Sequence, residues 1–368
     1  MQFHSEHIGA ILVFWVIVLL SMLALRYDFV KDGKNAGRYV FSLIYFAVGI
    51  VAAALFGFFL TAQPFELINL LSMGVFIAGP IFLIMAQAAA RKNNLKMIAN
   101  GLLAMALLVV AIAIDAFAIE PHWLEVTNVK LSSSKITKPI KIAVLSDLQT
   151  DCIGEYERSA VERVMQEKPD LILLPGDYIQ CLTWPEQVKW QGELSKLLKE
   201  VKFAAPLGVY AVQGNVEVDG WPSIFKGLPV TTMPDSKTVY TGELAITGLS
   251  FSDSFNQSVK IAATKPYHIV MGHGPDFALA KPDADLLVAG HTHGGQVQLP
   301  LFGPPLTLAA VPRNWAQGTK EQEPVETKPG TTLILSRGVG MERCYAPRMR
   351  FLCRPQLIFI ELSPKARR

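Results

Sequence analysis

The feature that most constrains this 368-residue chain is a set of four long apolar runs in its first third: Ile8–Leu25, Tyr39–Leu60, Leu67–Ala90 and Leu95–Ile119. A bilayer core of about 30 Å takes about 20 helical residues, so each run is long enough to cross it. No comparable run follows residue 120, although 51% of the whole chain is hydrophobic and only 18% is charged. That balance excludes a disordered or collagen-like chain. Four cysteines in this length exclude a disulfide scaffold. A formal net charge of +3 is too mild to point to nucleic acid, and no such partner is expected.

The runs predict a four-helix transmembrane domain over residues 1–120 and a globular domain over 121–368. The first run reads as a retained helix, because the Met1–His7 leader carries no Lys or Arg. Gly49, Ala53 and Gly57 recur at every fourth position and give a small-residue face for helix packing. Asp115 reads as an interfacial acid beside Glu120. The spans show no buried charged pair or broken-helix signature, which argues against a membrane protein whose helices carry the function with the globular part as regulator. Arg26, Lys31, Lys34 and Arg38 mark the first loop, and Arg91, Lys92 and Lys96 the third, while Met1–His7 and Thr61–Glu66 carry no Lys or Arg. The positive-inside rule then puts loops one and three in the cytoplasm and both chain ends outside. The expectation is an integral protein of a bacterial inner membrane or plasma membrane, with the lipid bilayer as partner and an extracytoplasmic globular domain.

From Pro121 the pattern becomes α/β. Short apolar strands are predicted at Lys141–Leu145, Leu171–Leu174 and Val209–Val212, with helices over Glu155–Lys168 and Glu186–Lys199 between them. Later strands are predicted at Val239–Gly248, His268–Met271, Leu286–Ala289, Thr332–Leu335 and Leu357–Leu362. Gln322–Gly330 reads as a surface loop. Asp147, Asp177, Asn215, His273 and His291 each follow one of these strands. Sites in α/β sheets assemble at the carboxyl ends of strands. Imidazole combined with carboxylate and carbonyl oxygen suits one or two divalent ions of the Mn, Fe or Zn type better than Ca or Mg. His291-Thr292-His293 sits among Gly290, Gly294 and Gly295. In extended backbone, residues two apart point the same way, so both imidazoles could face one cluster.

In these residues the chain resembles the calcineurin-like metallophosphoesterases. Gly290-His291-Thr292-His293-Gly294-Gly295-Gln296 looks like that family's last motif in its membrane-associated bacterial members. The preceding order is also similar: Asp147-Leu148-Gln149, Gly176-Asp177, Gly214-Asn215 and Gly272-His273. Ser336-Arg337-Gly338 through Cys353-Arg354-Pro355 resembles the same branch, which includes UDP-diacylglucosamine pyrophosphatases and transmembrane metallophosphoesterases. The resemblance implies a four-layer sandwich of two sheets flanked by helices. It implies two metal ions about 3.5–4 Å apart that activate water for in-line displacement on a phosphodiester or pyrophosphate, lipid-linked ones included. Carried over by position, one ion takes Asp177, Asn215, His273 and His291. The other takes Asp147, Gln149, Asp177 and His293, with Asp177 shared. Asp177, Asn215 and His291 would be the catalytic residues.

Three positions depart from the family pattern. Gln149 and Val216 stand where the family has histidines, and Gln180 replaces an acid. An amide oxygen is a poorer ligand than imidazole for such ions, and Asp151 offers an alternative donor. Val216 cannot move a proton, and loss of a general acid typically costs about 10²- to 10⁴-fold in rate. The alternative reading is therefore a catalytically impaired or silent relative that binds metal or phosphate at the membrane.

Other residues admit two readings each. Arg337, Arg343, Arg348, Arg350 and Arg354 could clamp phosphate or lipid head groups, or form a basic strip. His268 reads as a packed core residue. Asp253 and Glu217 read as supporting groups or surface. Neither Cys344–Cys353 nor Cys152–Cys181 is asserted as a disulfide.

Overall fold

A computed structural model describes residues 2–32, 34–316 and 325–365. The chain divides into two compact units, Met1–Ala118 with Tyr345–Pro347, and Ile119–Cys344 with Arg348–Arg368.

The first unit holds helices α1 (Gln2–Asp32), α2 (Ala36–Thr61), α3 (Pro64–Met73), α4 (Gly79–Lys92) and α5 (Lys96–Ile114). Four helical stretches, with α3 and α4 forming one, are long and apolar enough to cross a membrane. Their inward stripe buries Phe14, Phe46, Leu70 and Phe82, with the Phe46 and Phe82 rings stacked at 4.2 Å. Their outward residues are apolar too: Leu12, Phe59 and Leu107 are 61%, 79% and 62% exposed. A helix that is apolar on both faces fits lipid rather than water. The small-residue face of α2 does pack closely, since a Cβ on Gly57 would lie 2.4 Å from Leu70 Cδ1.

Two features depart from the sequence expectation. His7 Nδ1 lies 3.0 Å from Glu66 Oε2, both buried, so the helices do hold a buried polar pair. A π-helical turn over Gly74–Ala78 separates α3 from α4, and another covers Asp115–Ile119. The first lies just before Pro80, whose missing N–H removes one donor from the ladder.

The second unit contains two six-stranded sheets. The strands are β1 (Glu125–Ser133), β2 (Ile140–Val144), β3 (Leu171–Leu174), β4 (Val209–Val212), β5 (Val230–Met233), β6 (Lys237–Thr241), β7 (Leu244–Gly248), β8 (Tyr267–Met271), β9 (Leu286–Ala289), β10 (Val325–Lys328), β11 (Thr331–Leu335) and β12 (Gln356–Pro364). The sheet orders are β1-β12-β2-β3-β4-β5 and β10-β11-β9-β8-β7-β6. Strands β2 to β5 run parallel, as do β7, β8, β9 and β11.

Alternation along the strands builds the layers. Ile142, Val144, Leu171 and Leu173 meet Ile246, Ile269, Leu286 and Val288 in one core. Ala143, Ile172 and Leu174 face the other way, onto a core with Val161 and Val164 of α6 (Glu155–Gln166) and Leu194 and Leu198 of α7 (Trp184–Glu200). The far face of the second sheet is covered by the 3-10 turns Asp276–Ala280 and Arg313–Ala316, where helices were expected. A four-residue α8 (Phe251–Ser254) precedes β8.

The predicted strand Val239–Gly248 is a hairpin of β6 and β7 turning at residues 242–243. Part of the predicted loop Gln322–Gly330 is β10, and residues 322–324 lie outside the described residues. Strands β1 and β5 were not anticipated. Nine-residue β1 is mixed polar and apolar, and it is held by parallel pairing with β12.

Candidate metal centre

The loops that follow β2, β3, β4, β8 and β9 carry the seven candidate ligands, and backbone bonds stitch these loops together. Asp147 N donates to Gly176 O at 3.1 Å, Gln149 N to Asp177 O at 2.9 Å, and Gly290 N to His273 O at 3.0 Å. Gly290 permits the close approach: a Cβ there would lie 2.1 Å from Ser146 Oγ and 2.2 Å from Asp147 Oδ2. Gly176 adopts φ +100 for the same reason, with Gly214 backbone 2.6 Å from where its Cβ would be.

Asp147, Asp177 and His273 bring one ligand atom each within 4.8 Å of one another. His273 Nε2 is 3.4 Å from Asp177 Oδ2 and 2.8 Å from Asn215 Oδ1. His291 Nδ1 is 2.9 Å from the same Asn215 oxygen. The remaining ring nitrogens are committed to backbone carbonyls: His273 Nδ1 to Pro175 O at 2.9 Å, and His291 Nε2 to Leu308 O at 3.2 Å. A carbonyl only accepts, so each ring places its N–H there and turns a lone pair inward. Two imidazole lone pairs, an amide oxygen and a carboxylate oxygen then converge with no proton among them, which is a donor set for a cation. An Asn215 amide turned by 180° would donate to both rings instead, so this end also has a metal-free resting arrangement.

The other end has none. His293 Nε2 lies 3.9 Å from Asp147 Oδ1. Both His293 Nε2 and Gln149 Oε1 are buried without a hydrogen-bond partner. Buried polar atoms are nearly always paired, and an orphan costs about 1–3 kcal/mol. A cation would satisfy a buried orphan of either kind, an imidazole nitrogen or an amide oxygen, so the chemistry of the residues present fits a divalent ion here too.

Electrostatics agree. Burial raises the Asp147 carboxyl above its usual range, and burial with the Asp147 charge raises Asp177 further. Burial lowers His273, pushes His291 down to about 4 with help from His273, and holds His293 well below normal. The imidazoles are thus neutral and able to ligate. A dication would add positive charge beside two buried carboxylates, of which Asp147 feels the Arg350 guanidinium and Asp177 lies against the Asp147 charge.

Five of the seven candidates hold left-handed backbone: Asp147, Gln149, Asp177, His291 and His293, with φ between 27 and 69. Non-glycine residues seldom adopt it, and such strain gathers at functional sites. It also corrects one expectation. The His-x-His segment is a tight turn with Gly294 at φ 62, not extended backbone. His291 faces Asn215 while His293 lies nearer Asp147.

Of the two readings of Glu217, supporting group or surface, the structure bears out the first, and its part is to brace the loops. Glu217 is buried and accepts from Asp177 N at 2.9 Å, Tyr178 N at 2.7 Å and Gly214 N at 2.6 Å. Burial, then the Asp177 charge, push its carboxyl up to about 8. Arg350, fully buried, donates to the carbonyls of Cys353, Arg337 and Gly340, so it ties the C-terminal loop and does not clamp phosphate. Asp151 pairs with Arg348, so it does not replace Gln149 as a ligand. Arg354 stacks on Trp123 at 3.9 Å. His268 is a core residue bonded to Thr247 Oγ1 at 2.8 Å, and Asp253 bonds exposed Ser236. All four cysteines are free.

Known proteins match this frame. A family model, calcineurin-like phosphoesterase, matches residues 140–295, a span that holds all seven candidate ligands. The uncharacterized metallophosphoesterase YkuE of Bacillus subtilis is 27% identical over 74% of this chain and 98% of its own. An uncharacterized metallophosphoesterase of Aquifex aeolicus is 28% identical over 66% of this chain and 94% of its own. Phosphodiesterase YaeI of Escherichia coli is 28% identical over 66% of this chain and 89% of its own. These matches, with the buried Asp147, Asp177 and His273 group, support the calcineurin-like metallophosphoesterase family for the globular part of the chain.

Proposed function

We propose that the chain is a membrane-anchored, metal-dependent phosphoesterase that hydrolyses a phosphodiester or pyrophosphate, lipid-linked substrates included. The observation that carries this reading is the pair of orphaned buried atoms, Gln149 Oε1 and His293 Nε2, beside the convergent set at Asn215. Asp177, Asn215, His273 and His291 would hold one ion, and Asp147, Gln149, Asp177 and His293 the other. Bound ions would polarise phosphate oxygens and lower the pKa of water. The chain's own part is to fix the donors and keep the imidazoles neutral through burial. The phosphodiesterase name of the Escherichia coli relative supports a diester substrate. Outward placement of the globular part follows from the loop charges, and it disfavours nucleotide-linked lipids made in the cytoplasm.

Val216 favours a second reading. Its backbone N donates to Asp177 Oδ1 at 3.1 Å, but its side chain has no proton to give a leaving group. A silent relative that binds ions without turnover would share every feature above. The deciding experiment is metal content of the detergent-solubilised chain beside a Mn-supplemented diester assay, with Asp177→Ala as control. Bound ions with Asp177-dependent turnover support the enzyme, bound ions without turnover support the silent relative, and no bound ion refutes both.

A further inference from the structure

Gln149 is the weak point of the second ion's ligand set, and its amide is not free to turn. Gln149 Nε2 donates to Gln180 Oε1 at 3.0 Å and to Glu342 Oε2 at 2.9 Å. Gln180 Nε2 donates to the other carboxylate oxygen, Glu342 Oε1, at 2.5 Å. Gln180 cannot flip, because its Oε1 also accepts from Arg343 N at 2.7 Å. Glu342 is held by its own backbone, whose N donates to Gln296 Oε1 at 2.6 Å. An ionised carboxylate only accepts. Both Gln149 amide hydrogens are therefore used on one side, and Oε1 is left buried and unpartnered. None of the strand-end motifs includes Glu342.

We infer that Glu342 is a positioning residue: through Gln149 and Gln180 it orients the Gln149 carbonyl oxygen as a ligand of the second metal ion. This inference rests on the metal-binding reading above. An amide offers one ligating end and one end that repels a cation, so orientation decides whether Gln149 ligates at all. An imidazole at 149 would need no such lock. The network thus compensates for the substitution, and an oxygen in place of a nitrogen tilts that ion's selectivity toward harder cations.

Substitution Glu342→Gln leaves one acceptor oxygen for two amides. Gln180 keeps its hold on Arg343 N, so Gln149 is the amide that loses its carboxylate partner, keeps only the bond to Gln180 Oε1, and can turn Nε2 to the ion. Losing such a supporting partner typically costs about 10- to 100-fold in metal affinity. The double variant Gln149→Glu with Glu342→Gln keeps the net charge. It places an oxygen at both ends of residue 149 and a donor at 342, so orientation no longer matters.

The test is Mn²⁺ titration of the chelator-stripped full chain in detergent, with free Mn²⁺ followed by its paramagnetic resonance signal. The expected result is two ions for the wild type. E342Q should keep one ion at wild-type affinity and bind the other about 10- to 100-fold more weakly. The double variant should recover both. A purely structural role for Glu342 predicts no recovery in the double variant, which would overturn the proposal. So would an unchanged second affinity in E342Q, or a wild type that binds a single ion. Should E342Q not fold, Glu342→Asp, which draws the carboxylate back from both amides, takes its place in the titration: a weakened second ion upholds the proposal and an unchanged one overturns it. A wild type that binds no ion instead refutes the metal-binding reading itself.

Discussion

Removing the Glu217 carboxylate should unfasten the two loops that carry Asp177 and Asn215. Glu217→Ala strands three buried N–H groups, those of Asp177, Tyr178 and Gly214. At about 1–3 kcal/mol per stranded donor, partly relieved by water entering the space, the loss is about 3–6 kcal/mol. For a domain of this size about 2–4 °C is lost per kcal/mol, so the melting temperature should fall by about 6–24 °C. Glu217→Gln keeps the oxygen that serves Asp177 N and Gly214 N, and sets an NH₂ against Tyr178 N alone, for about 1–3 kcal/mol. The sign with pH follows from the carboxyl held up to about 8 in the fold against an ordinary value of 4.5. The folded state keeps the proton longer, so this group's contribution is full below 4.5 and is lost as pH rises through about 8. In chelator, the gap between wild type and E217Q should therefore narrow between pH 4.5 and about pH 8. Scanning fluorimetry of the solubilised chain measures both effects. An E217A variant melting within about 2 °C of wild type would refute the brace.

Three further outcomes are expected. Gly290→Ala should destabilise by about 1–3 kcal/mol and weaken ion binding, because its Cβ would lie 2.2 Å from Asp147 Oδ2; unchanged melting and metal content would count against the close approach. Val216→His combined with Gln149→His should raise diester turnover by up to about 10²- to 10⁴-fold if the missing imidazoles limit the rate, and no rise for any diester would discard that account. His291 is held neutral down to about 4, below the ordinary 6.5, so its contribution is present above 6.5 and lost as pH falls through about 4. Melting of the metal-free chain should thus fall over that window, less steeply for His291→Asn, and identical acid limbs would rule this out.

The sequence was most legible where one physical demand acted alone. The apolar runs had to be helices, and four buried strands, Leu171–Leu174, Val209–Val212, Leu286–Ala289 and most of Tyr267–Met271, stood out as unbroken apolar segments between turn residues. The candidate ligands were legible because polar residues directly after such strands have few reasons to be there. Strand β1 was not, since its residues Glu125–Ser133 mix charge with apolar groups and gain their state from β12 across the whole chain. The hairpin turn at residues 242–243 was hidden because residues 239–241 and Leu244–Gly248 both carry strand-forming residues and only two residues separate them. Glu342 was invisible for a different reason, and Glu217 was legible only as a supporting group or surface, with no partners to name. Their partners are backbone N–H groups and amides brought together by folding, and nothing in linear order marks them.

The left-handed backbone at Asp147, Gln149, Asp177, His291 and His293 has a consequence for how such a protein ages under selection. Each of these residues carries conformational strain of about 1–3 kcal/mol that glycine would not. A lineage screened for heat tolerance alone would gain ground by trading these side chains for glycine, one at a time, and each gain would blunt the chemistry. Robustness and competence therefore pull in opposite directions at the same five positions, and a hardy descendant of this fold is the one least suited to serve as evidence of what its ancestor could do.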